Sequence, residues 1–237
     1  MKLAKSIGRL GTETAFEVLA KAKKLEAQGK DIVHLEIGEP DFETPEHIKE
    51  AAKKALDDNF THYVPSPGLM EVREVIAEHQ SDVHNKNISP ENVVFTPGAK
   101  PIMFFTIMAL IEPGDEVIYP NPGFPIYESM INYVGGKAVP MELKEEKEFN
   151  ADVDLIEQSI TDKTKLIILN SPNNPCGSVM EPSDIKKVAD IAKEKDIVIL
   201  TDEVYKDLYF EGSHNSVYDY DGMEENVVIL DGFSKSY

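Results

Sequence analysis

The chain of 237 residues has one cysteine, no tryptophan and few cations. A single cysteine excludes an internal disulfide framework and fits a reducing compartment. Lys and Arg number 24 against 43 Asp and Glu, a net charge of −19. That balance argues against a nucleic-acid partner and supplies no polybasic stretch for an anionic membrane surface. Long apolar runs are missing too. The longest, Ile102 to Ile111, is ten residues and includes Thr106, against the ~20 needed to cross a bilayer. Met1 to Leu10 carries charges with no apolar run after them, so it does not read as a secretory signal. The expectation is a cytoplasmic protein with no membrane partner and no metal. Its hydrophobic share, 41%, suits a globular chain of one to two domains.

What is present divides in two. In the first part, Thr14 and Glu17 match a capping box, Phe16, Leu19, Ala20 and Lys23 follow at helical spacing, and Gly29 ends the helix. Ile32 to Leu35 reads as extended and runs into the loop Gly38-Glu39-Pro40-Asp41-Phe42. Thr44-Pro45 opens a helix, with Thr44 as its cap and the proline in the first turn, and Ile48, Ala51, Ala52, Ala55 and Leu56 give it an apolar face. A third helix follows Pro67-Gly68, with Leu69, Val72, Val75 and Ile76 inward. From about residue 90 strands and helices alternate. Strands are expected at 93–95, 116–119, 138–141, 166–169, 197–200 and 227–230. Helices are expected at 99–111, 126–134, 153–160 and 184–194. The later strands are continuous Val, Ile and Leu runs, as when both faces are buried. The fold class is therefore α/β: a three-layer α/β/α arrangement around a mostly parallel sheet.

Ligands of such sheets sit beyond the carboxyl ends of the strands. Five of those ends carry Thr96-Pro97-Gly98-Ala99-Lys100, Pro122-Gly123-Phe124, Asn173-Asn174-Pro175-Cys176-Gly177, Asp202-Glu203-Val204-Tyr205 and Gly232-Phe233-Ser234-Lys235. Each has an ordinary reading alone. Gly98 before a helix is often only a turn, Asp202 can be a cap, and most lysines are solvated. Taken together they offer backbone N–H groups for an anion, an aromatic face, an amide, a carboxylate beside a phenol, and an amine able to attack a carbonyl. Pyridoxal 5'-phosphate needs that set. With no tryptophan in the chain, Phe124 is the stacking candidate.

These segments, with Gly38 to Phe42, Tyr63, and Gly68-Leu69, occur in one order over nearly the whole chain. In that order the sequence resembles the class I/II aminotransferases of the aspartate aminotransferase superfamily, fold type I. The resemblance implies that Lys235 is the catalytic residue and holds the cofactor as a Schiff base, and that Asp202 pairs with the pyridinium nitrogen. It implies that Asn174 and Tyr205 bond the phenolic oxygen, that Phe124 stacks on the ring, and that the Gly98, Ala99 and Lys100 turn binds phosphate. Gly38 would approach the substrate carboxylate, and Tyr63 would reach the phosphate of a neighbouring subunit in a homodimer with shared sites. Residues 1–45 would be an N-terminal arm and part of a small domain, and 46–237 a large cofactor-binding domain. The substrates would be an L-amino acid, aspartate-like, and a 2-oxo acid such as 2-oxoglutarate. A β-lyase or synthase on the same fold, and a non-catalytic cofactor-binding or dimerising fragment, are the competing readings.

Three departures from the family pattern bear on this. Cys176 stands where threonine is common, and Gly232 where a serine phosphate ligand often lies. The sequence stops at Tyr237, two residues past Lys235, where the family continues with further sheet, a phosphate-binding arginine and a carboxylate-binding arginine. On that basis the 237-residue chain alone is expected to be catalytically poor.

Overall fold

The computed structural model describes residues 2–11 and 14–237. Three helices come first: α1 (Thr14–Glu26), α2 (Glu46–Asp57) and α3 (Met70–His84). Then follow α4 (Lys100–Leu110), β1 (Glu116–Asn121), α5 (Ile126–Val134), β2 (Lys137–Glu142), α6 (Val153–Ser159), β3 (Thr164–Asn170), α7 (Pro182–Lys195), β4 (Val198–Asp202) and β5 (Val227–Leu230). The strands form one sheet in the order β2-β1-β3-β4-β5, and every neighbouring pair is parallel. The chain moves outward from β1 to β2, then returns to the other side of β1 for β3. This reversal opens a crevice at the carboxyl ends of β1 and β3, where ligands of open α/β sheets bind.

Alternation along the strands builds two cores. Ile118, Ile167, Leu169 and Ile199 face one layer and pack with Val153 and Ile156 of α6 and Ile185, Val188 and Ala192 of α7. Val117, Leu166, Ile168 and Leu200 face the other, with Met103 and Ile107 of α4 and Tyr127, Met130 and Ile131 of α5. Successive residues of a strand point to opposite faces, so runs such as Leu166 to Leu169 must be apolar throughout. The three-layer α/β/α fold follows from that pattern.

Four local expectations are corrected. Residues 93–95 form no strand. Phe95 N–H bonds Pro67 O, β5 is the sheet edge, and a strand without a ladder partner is only an extended segment. Val75 points outward, whereas Arg73, Ala77 and His84 are the buried positions of α3. Arg73 is tolerated inside because its guanidinium donates to Pro90 O (2.7 Å and 3.0 Å) and Val93 O (2.9 Å). The apolar face expected for α2 is uncovered, and no residue of that helix is buried. Pro45 occupies its N-cap and no side chain caps the helix, so Thr44 does not fill the role expected of it. Helix α1 begins at Thr14, and its expected capping box borders residues 12–13, which lie outside the described residues.

Candidate active site

The carboxyl end of β4 carries two adjacent acids that the pleat separates. Asp202 follows Leu200 on the α4–α5 side and is 3% exposed. Its Oδ2 accepts the Tyr127 hydroxyl at 2.6 Å, and its Oδ1 accepts the Val204 N–H at 3.3 Å. Glu203 is fully buried. Its Oε1 accepts hydroxyls of Thr201 and Ser216, at 2.9 Å and 2.5 Å, and its Oε2 lies 2.6 Å from His214 Nε2.

Burial pushes the Asp202 carboxyl up to about 6, against the opposing pull of the Tyr127 and Val204 hydrogen bonds; the charges of Glu203 and Asp231 add to the rise. The Tyr127 hydroxyl is held well above its usual range by burial and then by Asp202. Among the described residues no cation lies within ion-pairing distance of Asp202. A buried carboxyl with two donors and no counter-charge is a poor structural choice, since a buried charge requires a partner. It is a good one if a ligand brings the cation.

Neighbouring strand ends converge on Asp202. Asn170, opposite Asp202 in the β3–β4 register, donates through Nδ2 to the Asp202 carbonyl at 3.0 Å. Its Oδ1 accepts the Asn174 N–H at 2.7 Å, so one amide ties the Asn173-Asn174 loop to β4. Tyr205 is half-buried, and its hydroxyl is pushed up by burial and then by the Asp202 charge. Asn174 and Tyr205 line the same cleft, with Asn173, Leu208 and Tyr209. Phe124, after β1, sits edge-to-face on Tyr127 with ring centroids 5.9 Å apart. Gly123 is required there, because a Cβ would lie 2.2 Å from the Pro120 carbonyl oxygen.

Lys235 closes a single 3-10 turn, Phe233–Lys235, just past β5. Its Nζ lies 5.8 Å from the Tyr205 ring centroid and donates to the Gly38 carbonyl. The anion turn abuts the same loop: a Cβ on Gly232 would meet the Ala99 Cβ at 3.7 Å. Gly98 has φ +92, the left-handed region that glycine enters without strain. Ala99 is the N-cap of α4, and among the described residues its side chain makes no capping hydrogen bond; the N-terminus of a helix is a favourable place for an anion. Lys100 Nζ lies 5.9 Å from the Phe124 ring centroid.

The residues singled out from sequence thus fall into one region: Asp202, Asn174, Tyr205, Phe124, Lys235, the Gly98 to Lys100 turn, and Gly38. Tyr63 is not brought there within one chain; at 108% exposure it projects into solvent. Sequence reasoning missed Tyr127, Asn170 and Glu203. Glu203 and Asn170 were visible as polar residues at the ends of apolar strands. Tyr127 resembled an ordinary core aromatic of α5, and only the folded chain brings it to a residue 75 positions away.

Residues 30–237 match the family described as aminotransferase class I and II. The chain belongs to this family, whose cofactor is pyridoxal 5'-phosphate. It is 42% identical over 207 residues to a probable aspartate aminotransferase of Methanocaldococcus jannaschii, covering 87% of this chain and 54% of that protein. It is 37% identical over 235 residues to a (5-formylfuran-3-yl)methyl phosphate transaminase of the same organism, covering 99% of this chain and 60% of that one. Among solved structures, aspartate aminotransferase from Thermus thermophilus with maleate superposes with a TM-score of 0.95 at 36% identity. That match covers 99% of this chain and 61% of the Thermus chain. The chain therefore spans a little over half the length of these relatives.

The side chains present fit the cofactor. Among the described residues, a carboxyl near 6 without a paired cation suits a protonated ring nitrogen, the N-terminus of α4 behind Gly98 suits a phosphate, and an amine stands beside a phenol.

Proposed function

We propose that this chain is the cofactor-binding portion of an aminotransferase that moves an amino group between an aspartate-like L-amino acid and a 2-oxo acid such as 2-oxoglutarate. The observation that carries the reading is Asp202: buried, bonded to Tyr127, and lacking a counter-cation among the described residues. When bound, pyridoxal phosphate supplies an electron sink for cleavage at the α-carbon of an amino acid.

The chain's residues do the rest. Lys235 would hold the group through its amine, and that amine, when free, would serve as the base that takes the α-proton. Asp202 would hold a proton at the ring nitrogen, and the dry surroundings would strengthen that hold. Tyr127 and Asn170 are positioning residues for it: the first fixes the carboxyl, the second the backbone. Asn174 and Tyr205 would bond the phenolic oxygen. Phe124 would cover the ring, and the turn from Gly98 to Lys100 would take the phosphate. The hydrogen bond from Lys235 to the Gly38 carbonyl supports a role for the Gly38 loop beside the amine, where it would approach the substrate carboxylate. Full exposure of Tyr63 supports its use by a neighbouring copy in a homodimer. We read residues 1–45 as an arm with part of a small domain, 46–237 as the large domain, and a cytoplasmic setting from the lone cysteine.

Incubation with pyridoxal phosphate followed by borohydride tests the reading. The label is expected on the peptide containing Lys235 and lost in Lys235→Ala; label spread over surface lysines would overturn it. A panel of amino donors against 2-oxoglutarate then tests the substrate class.

A further inference from the structure

The loops bearing Tyr205 and Lys235 are joined by charges that the reading above leaves unused. Lys206 directly follows Tyr205, and its side chain is 10% exposed. Its Nζ lies 3.0 Å from Asp207 Oδ2 and 3.0 Å from Asp231 Oδ2. Asp231 is the first residue past β5 and stands four residues before Lys235. Its Oδ1 accepts the Gly232 N–H at 2.7 Å, and its Oδ2 accepts from Gln80 of α3 at 3.1 Å. Asp207 Oδ2 accepts the hydroxyl of Ser236, the residue after Lys235, at 3.3 Å. One largely covered cation therefore holds the lysine-bearing turn on both sides, directly at Asp231 and through Asp207 at Ser236.

We propose that Lys206 is a positioning residue that sets the 231–236 turn against the Tyr205 loop and so aims the Lys235 amine. This rests on the assignment of Lys235 as the cofactor anchor. Tyr205 and Lys206 are adjacent, so any shift of the clamp moves the phenol relative to the amine. The ammonium is well suited to the task, because it reaches both carboxylates at 3.0 Å and one of them, Asp231, is largely covered.

The experiment follows the rate of borohydride-trapped pyridoxal phosphate on the Lys235 peptide by mass spectrometry, with the induced circular dichroism of the bound group and the near-ultraviolet dichroism of the free chain. Lys206→Met is expected to label Lys235 ~10-fold more slowly, a modest part of the ~100-fold that a 1 Å misplacement can cost. It should also lose the induced signal while keeping the free-chain spectrum. Lys206→Arg, which keeps a cation able to reach both carboxylates, should restore both readouts to within ~2-fold. Wild-type rate and signal in Lys206→Met would overturn the proposal, as would equal impairment in Lys206→Arg. Should Lys206→Met fail to fold, Ser236→Ala removes only the Asp207 arm. It should slow labelling ~3-fold, and an unchanged rate would overturn the clamp. No Lys235 label in the wild-type chain overturns the anchor assignment and the clamp together. Label indifferent to Lys206 overturns the clamp alone.

Discussion

Replacing Asp202 by asparagine isolates the electrostatic penalty built into the free site. In the unfolded chain this carboxyl ionises near 3.8, and in the folded chain at about 6. Between those values the folded chain keeps a proton that the unfolded chain has lost. Stability therefore falls as pH rises through this window and levels off above it. About two pH units at ~1.4 kcal/mol each make the burden roughly 3 kcal/mol at pH 8. Asparagine removes it, and its amide oxygen can still accept from Tyr127. Loss of the charge-assisted character of that bond, and of the weak 3.3 Å bond from the Val204 N–H, which an amide NH2 cannot accept, takes back about 1–2 kcal/mol. The free Asp202→Asn chain should thus be more stable than wild type by ~1–2 kcal/mol at pH 8, and equal or slightly weaker at pH 4. Urea unfolding of both proteins across that range measures the difference, in which other titrating groups cancel. The same variant should hold pyridoxal phosphate more weakly, because the ring nitrogen loses its counter-charge. A variant no more stable than wild type at pH 8, or a stability difference flat with pH, would refute the reasoning.

Other outcomes follow from neighbouring contacts. Tyr127→Phe deletes the 2.6 Å bond to Asp202 and should destabilise the free chain by ~1.5–3 kcal/mol at pH 8, less at pH 4, by urea unfolding at both values. Gly123→Ala drives a Cβ against the Pro120 carbonyl; it should cost ~1–3 kcal/mol by thermal melting and reduce cofactor affinity as Phe124 moves. Lys235→Ala removes the bond to the Gly38 carbonyl, and limited proteolysis within residues 30–42 should accelerate. Ile167→Ala opens a cavity under a fully buried strand residue and should cost ~2–5 kcal/mol, which chemical denaturation would register.

The parallel sheet was legible because its strands are buried on both faces, so Leu166 to Leu169 and Ile197 to Leu200 announce themselves without periodicity. Strand ends were legible for the same reason: Asp202 stands out where an apolar run stops. The early helices were harder. Arg73 occupies a buried position of α3 only because the carbonyls of Pro90 and Val93 receive it, and no local pattern shows those partners. Residues 93–95 have strand composition, but pairing is a property of neighbours. Asn170 stands out at a strand end, but its partner Asp202 lies on the next strand, and the bonds of Tyr127 to Asp202 and of Lys206 to Asp231 form only when the chain folds.

The separation of Asp202 from Glu203 has an evolutionary and engineering consequence. Slipping β4 by a single position would trade the two acids, turning the longer one toward Tyr127 and the shorter one toward His214. The same slip would carry the buried Thr201 hydroxyl from Glu203 into the apolar layer of α4 and α5. A one-residue insertion or deletion in this strand therefore disturbs the chemistry and the scaffold together.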